Sequence, residues 1–187
     1  METLVKIQKW TYNEMLEKLP AESRYEIIDN ELYDMSPAPN TEHQRIFRKL
    51  EFALIKYIET LKLGEVFNAP FDVILDENNV VQPDILFICN ENAHKISDRG
   101  LEGAPDLIFE ILSPSSVYRD QIEKKDLYEK FQVPEYWVID PANKVIEVLS
   151  LNENKEYFLF NYIVEKGIAV SSFLKGFQVN AEEIFTS

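Results

Sequence analysis

From Asn40 to Leu63, apolar residues return every three or four positions, at Ile46, Leu50, Ala53/Leu54, Tyr57/Ile58 and Leu61. That spacing is one face of a helix, with Asn40 or Thr41 to cap it and Gly64 to end it. Tyr118 to Gln132 has the same period and predicts a second helix. A shorter one, Thr11 to Lys18, ends before Pro20. Elsewhere the pattern is that of strands. YEII and ELYDM flank Asp29-Asn30, a turn pair that predicts a hairpin, and SPAPN after it reads as a loop. EVFNAPFDVIL and VVQPDILFI read as two strands joined at DENN. NENAHKISDRGLEGA reads as a polar loop with one helical turn. EYWVID and KVIEVLSL form a hairpin around PAN, and KEYFLFNYIV adds a strand. DLIFEIL is continuously apolar but for one acid, the pattern of a central strand covered on both faces.

The order helix, hairpin, long helix, strands, helix, strands predicts an α/β (α+β) fold, a mixed sheet with the two long helices packed against it and additional hairpins. The 187 residues fit one domain, 1–187, in which 1–24 is a helical extension and 152–187 a strand and tail docking on the core. Hydrophobic residues at 45 % and aromatics at 12 % supply that core. Cys89 has no second cysteine to pair with and lies in an apolar run, so it reads as a small buried hydrophobe. No run reaches the ~18 apolar residues of a membrane span, and METLVKIQKW is no signal peptide. A cytoplasmic location without membrane contact is the expectation.

Charge changes the picture more. At a net −14 the chain repels nucleic acid over most of its surface, unless the acids surround a cation or the bases cluster. Two acids stand where core is expected, and an unpaired buried carboxylate costs several kcal/mol or loses its charge. Asp84 sits in VVQPDILFI behind Pro83, which cannot donate to a sheet ladder, so the strand is bulged or at an edge there and the carboxylate re-aimed. Glu110 interrupts DLIFEIL. Asp106 shares its face but stands roughly 13 Å away along the strand, too far to hold the same ion, and reads as a residue that starts the strand. A carboxylate on the neighbouring strand comes closer, so Asp84 is the better partner.

Lys124 is singled out by the helical wheel. At 100° per residue, Val117, Leu127, Tyr128 and Phe131 fall within about 60° of it, on the inward stripe. Asp120, one turn earlier, offers a plain i,i+4 ion pair as the alternative to a lysine aimed at a metal site. Two acids and one lysine suffice for phosphodiester hydrolysis: Mg²⁺ prefers one or two carboxylates and keeps waters, and an ammonium steadies the charge that develops. Glu26 in YEII and His43 in the first turn of the long helix are second-rank members. Glu26 reads equally well as an exposed hairpin acid, and His43 as a capping or surface group. His94, in the polar loop, has no role.

The ordered series YEIIDNEL, His43 on a helix, PDILFI, GAPDLIFEILSPSS, Asp120-x-x-x-Lys124-x-x-x-Tyr128 and VPEYWVIDP resembles the "putative restriction endonuclease" family common in cyanobacteria, formerly a domain of unknown function. That family belongs to the PD-(D/E)XK nuclease superfamily, and the resemblance spans about Tyr25 to Leu151. It implies a restriction-endonuclease-like mixed sheet flanked by helices, with metal ligands on Asp84 and Glu110. The superfamily lysine two residues after the acid is here Leu112. The resemblance moves that role to Lys124, and it matches Glu26 and His43 to the family's early acid and helix-start histidine. A Mg²⁺- or Mn²⁺-dependent DNA endonuclease, working as a homodimer because duplex cleavage needs two sites, is the leading expectation. A nuclease-fold module without catalysis that binds nucleic acid or protein is the first rival. A paired-carboxylate sugar hydrolase is the second, and it would need an aromatic-lined cleft. Tyr136 and Trp137, the obvious aromatics, read better as core.

Overall fold

The computed structural model describes residues 8–20, 24–35, 40–114 and 116–186. Four of the five residues of the expected SPAPN loop, 36–39, lie outside these, as do residues 1–7 of the leading segment. Helix α1 (Tyr12–Lys18) opens on a capping box in which Thr11 and Glu14 each accept the other's backbone N–H. Strands β1 (Tyr25–Ile28) and β2 (Glu31–Asp34) form a hairpin, with Asp29 and Asn30 at φ 47° and 69° in the turn. Helix α2 (Thr41–Leu61) starts at Asn40, whose side chain accepts from His43 N, and stops at Lys62 in the left-handed conformation.

Each of the next two apolar stretches is cut in two, where one strand each was expected, the second bulged or at an edge at Pro83. EVFNAPFDVIL becomes β3 (Gly64–Asn68) and β4 (Val73–Asp76), and VVQPDILFI becomes β5 (Asn79–Val81) and β6 (Ile85–Cys89). The breaks contain Pro70 and Pro83, which have no N–H for a ladder, and at each the chain passes from one sheet to another. The expected polar loop holds a 3₁₀ turn (Asn90–Lys95) and two short strands, β7 (Ile96–Ser97) and β8 (Gly100–Glu102). Gly100 permits this: a Cβ there would lie 2.1 Å from Asp72 O, the carbonyl that accepts from Leu101 N. Strand β9 (Leu107–Ile111) is buried throughout. A π-helical turn (Arg119–Lys124) then leads into α3 (Lys125–Lys130), followed by β10 (Glu135–Asp140), β11 (Val145–Leu151), β12 (Tyr157–Val164), β13 (Ile168–Val170), β14 (Gln178–Asn180) and α4 (Ala181–Phe185).

Among the described residues there are thus two six-stranded sheets, ordered β2-β1-β5-β4-β8-β7 and β12-β11-β10-β9-β6-β3, with β13 and β14 a separate ribbon. Both sheets are mixed: β9 and β10 run parallel in the second, β4 and β8 in the first. The expected α+β fold, a mixed sheet flanked by helices with additional hairpins, is present, with the mixed sheet doubled into two layers. On one face of the second sheet, Ile85, Phe87, Phe109 and Trp137 pack against Ile46, Leu50, Leu54 and Ile58 of α2 and against Phe177 and Ile184. On its other face, Leu86, Ile108, Tyr136 and Val138 meet Val73, Val81 and Leu101 of the first sheet and Leu127 and Tyr128 of α3. The first sheet covers much of the face assigned to the second helix. Val117, placed on that helix's inward stripe, is 41 % exposed. The π turn takes more residues per turn than an α-helix and rotates Val117 off the buried side. No helix among the described residues is long and apolar enough to cross a membrane.

Candidate active site

The β6–β9 register pairs Ile85 with Phe109, which sets Asp84, just ahead of β6, opposite Glu110. Both carboxylates are tied across the junction. Asp84 Oδ2 accepts from Ile111 N at 2.8 Å, and Asp84 N donates to Glu110 Oε2 at 3.4 Å. Glu110 alternates with Phe109 and Ile111, so it points into the layer between the sheets. Lys124, from the π turn, enters the same layer. Its Nζ lies 2.7 Å from Glu110 Oε1, 2.8 Å from Glu26 Oε1 and 3.6 Å from Asp120 Oδ1. Lys124 thus makes the plain i,i+4 pair with Asp120 and also reaches Glu110 and Glu26.

Glu26 comes from β1 and is fully buried, not an exposed hairpin acid; its Oε1 also accepts from Gln82 N at 2.8 Å. His43 is buried rather than a surface group, with Nε2 3.1 Å from Asp84 Oδ2. All five candidates thus belong to one network, built from β1, α2, the starts and ends of β6 and β9, and the π turn. Outside it, Asp106 caps β6 by accepting from Cys89 N and Asn92 Nδ2, and His94 Nδ1 lies against Glu91 O. Cys89 packs partly buried on the core, and burial pushes its thiol up to about 11. Tyr136 and Trp137 are 0 % exposed and line no cleft.

Two neighbours went unnoticed as site members in the sequence. Tyr128 donates its hydroxyl to Glu110 Oε1 at 3.0 Å. Arg119 stacks on Tyr33 with its guanidinium 4.4 Å from the ring, holds Nη1 3.9 Å from Glu26 Oε2, and spends Nη1 on Met35 Sδ at 3.4 Å. Its buried Nε has no hydrogen-bond partner among the described residues, nor does Glu26 Oε2 or His43 Nδ1. On an α-helical wheel Arg119 stands about 140° from Lys124 and points away. A π turn brings positions five apart together, and that irregularity left no mark in the apolar pattern.

A profile of the Uma2 family, described as "Putative restriction endonuclease", matches residues 11–182. The chain belongs to the Uma2 family. Membership supports a nuclease, an enzyme acting on nucleic acid, in a class that generally uses divalent metals. The fold resembles that of a "putative nuclease belonging to DUF820" from Anabaena variabilis, with a TM-score of 0.74 over 94 % of this chain and 97 % of that one; at 18 % identity the likeness concerns the fold alone. The type IIG restriction endonuclease BpuSI aligns at a TM-score of 0.42 and 14 % identity, over 81 % of this chain and 17 % of that one, too weak a likeness for argument. Curated proteins give no match.

The electrostatics of this Uma2 member's site follow from a shortage of positive charge. Glu26, Glu110 and Asp120 surround Lys124, Asp84 adds its charge beside Glu110, and Arg119 stands at the margin. Burial pulls Lys124 towards neutrality, but Glu110, Glu26 and Asp120 outweigh it and hold the ammonium well above its usual range. Glu110 goes the other way: burial raises its pKa, Lys124 offsets part of that, and Asp120, Asp84 and Glu26 raise it further. Tyr128 is held neutral by burial and by Glu110. A cation shared among these acids would relieve the imbalance. Among the described residues no three His, Cys, Asp or Glu side chains form a ready metal cage. The donors still suit Mg²⁺ or Mn²⁺: two facing carboxylates, with Asp84 18 % exposed and no hydrogen bond to its Oδ1 among the described residues. Magnesium takes one or two protein carboxylates and fills its shell with water.

Proposed function

We propose that the chain is a Mg²⁺- or Mn²⁺-dependent DNA endonuclease, one nuclease domain that acts in the cytoplasm as a homodimer. The observation that carries this reading is the facing of Asp84 and Glu110 across β6 and β9, with Lys124 bonded to Glu110. In it, Asp84 and Glu110 would hold the metal, whose charge would supply polarisation of a phosphate oxygen and of water there. Glu26 and Glu110 grip Lys124 between them, which fixes a positive charge beside the phosphate as negative charge grows there. His43 steadies Asp84 through Nε2. Tyr128 donates to Glu110 and keeps its second oxygen turned to Asp84. Arg119, with side-chain exposure of 20 % against 1 % for Lys124, is the cation placed to meet a DNA phosphate from outside.

Calorimetric titration with Mn²⁺ tests the metal site directly. Saturable binding to the wild type, lost in Asp84→Ala, supports it; no binding, or equal binding by the variant, refutes it. The second reading is a module of this fold that binds nucleic acid or protein without cleaving. It is favoured by the net charge of −14 and by the near-complete burial of Lys124. Salt-dependent DNA binding untouched by Glu110→Ala, with no nicking in metal, would establish it.

A further inference from the structure

The two six-stranded sheets have four outer strands, and three of them are protected. Strand β2 (ELYD) carries Glu31 and Asp34, β3 (GEVFN) carries Glu65, and β7 has only two residues. Charge and shortness are the usual means of stopping an open sheet edge from pairing with another chain. Strand β12 has neither, though it bulges at Phe160, where Val148 pairs with Asn161 and Leu149 with Leu159. Its eight residues, YFLFNYIV, include no charge, and it ends the second sheet with β11 on one side only. Phe158, Leu159, Phe160, Tyr162 and Val164 are each between 41 % and 52 % exposed. In a chain of net charge −14 this is a long, neutral, apolar edge.

We infer that β12 is the dimer surface: it pairs antiparallel with β12 of a second copy, joining the two second sheets into one. A twofold axis through an antiparallel pair requires one residue to face its own copy. Lys155 and Glu156 lie just before the strand and Glu165 and Lys166 just after it, so an antiparallel pair brings an acid and a base from each copy together at both ends. An aromatic side chain buries about 150–250 Å², so half-exposed Phe158, Phe160 and Tyr162, with Leu159 and Val164, offer roughly 400 Å² per copy. The pair would cover about 800 Å² from these side chains, and the main-chain edges and flanking residues bring it towards the ~1,200 Å² lower bound of a stable interface.

This inference rests on the dimer in the proposed function and not on its metal chemistry. Light scattering on the full chain at about 50 µM, far above the dissociation constants common for interfaces of standard size, reads it out. The wild type should weigh twice 21.9 kDa and Phe160→Lys should weigh 21.9 kDa. Phe52→Lys, on the exposed outer side of α2, should remain dimeric. Should Phe160→Lys fail to fold, hydrogen exchange on the wild type replaces it: β12 amides protected at high concentration should lose protection on dilution to monomer. A wild-type monomer overturns the dimer together with this surface. A dimer that persists in Phe160→Lys, that Phe52→Lys disrupts, or that leaves β12 amides unprotected overturns the surface alone. DNA cleavage by the same samples is scored separately and bears only on the nuclease reading.

Discussion

Lys124→Met removes one charge and keeps most of the side-chain stem. Three carboxylates within 3.6 Å of Nζ then lose their shared counter-charge in a layer where Glu26 is 0 % and Glu110 4 % exposed. Breaking a buried ion pair by removing one partner costs about 3–5 kcal/mol. For a chain of this length each kcal/mol moves the melting temperature by about 2–4 °C, so the fall should be roughly 6–20 °C near pH 8. The pH dependence has a definite sign. Glu110 already has a raised pKa in the folded state from burial, and loss of Lys124 raises it further. A carboxyl of this kind takes up a proton on folding. The stability this confers is fully present below the ordinary glutamate pKa of about 4.3 and is lost as pH rises through the folded value. The deficit of Lys124→Met relative to wild type should therefore shrink as pH falls from 8 to about 5. The double variant Lys124→Met/Glu110→Gln should regain part of the loss at pH 8. Thermal melts over this range read all of it. A variant as stable as wild type at pH 8, or a deficit that widens on acidification, would refute the account of the buried charges.

Other perturbations have more limited effects. Arg119→Ala should weaken DNA binding and flatten the slope of log K against log salt by about 0.9, the share of one duplex phosphate contact, while Arg119→Lys keeps most of the slope. Unchanged slopes in a well-folded Arg119→Ala would remove Arg119 from the interface. Tyr128→Phe deletes the hydroxyl that donates to Glu110 Oε1 and should lower unfolding free energy by about 1.5–3 kcal/mol, measured by urea titration. Glu135 accepts from Trp137 Nε1, Ser171 Oγ, Ser172 N and Phe173 N, which anchors the segment after β13. Glu135→Ala leaves these donors stranded and should drop the melting temperature by about 6 °C or more.

Local periodicity made the secondary elements legible, and parity made Glu110 legible. The steps of Ile46, Leu50, Leu54 and Ile58 locate α2, because its buried face sees one uninterrupted sheet. An acid inside LIFEI stands out for the same reason. Which sheet each strand joins is a matter of long-range pairing, and Pro70 and Pro83 signal a break without saying where the chain goes next. His43 and Asp84 are 41 residues apart and meet only because α2 packs on the second sheet. Lys124 was found on a wheel that assumed an α-helix, and the same wheel misplaced Val117 and hid Arg119. Lys124 lies close enough to α3 for the error in phase to be small there, whereas it accumulates towards Arg119 and Val117 across the π turn.

The most direct measurement is supercoiled plasmid incubated with the protein in Mg²⁺ or Mn²⁺. The wild type should produce nicked and linear forms, the reaction should stop when the metal is chelated, and Asp84→Asn and Glu110→Gln should leave the plasmid intact while still folded. Cleavage that persists in both variants, or a folded wild type that leaves the plasmid supercoiled at every metal concentration, would contradict the account.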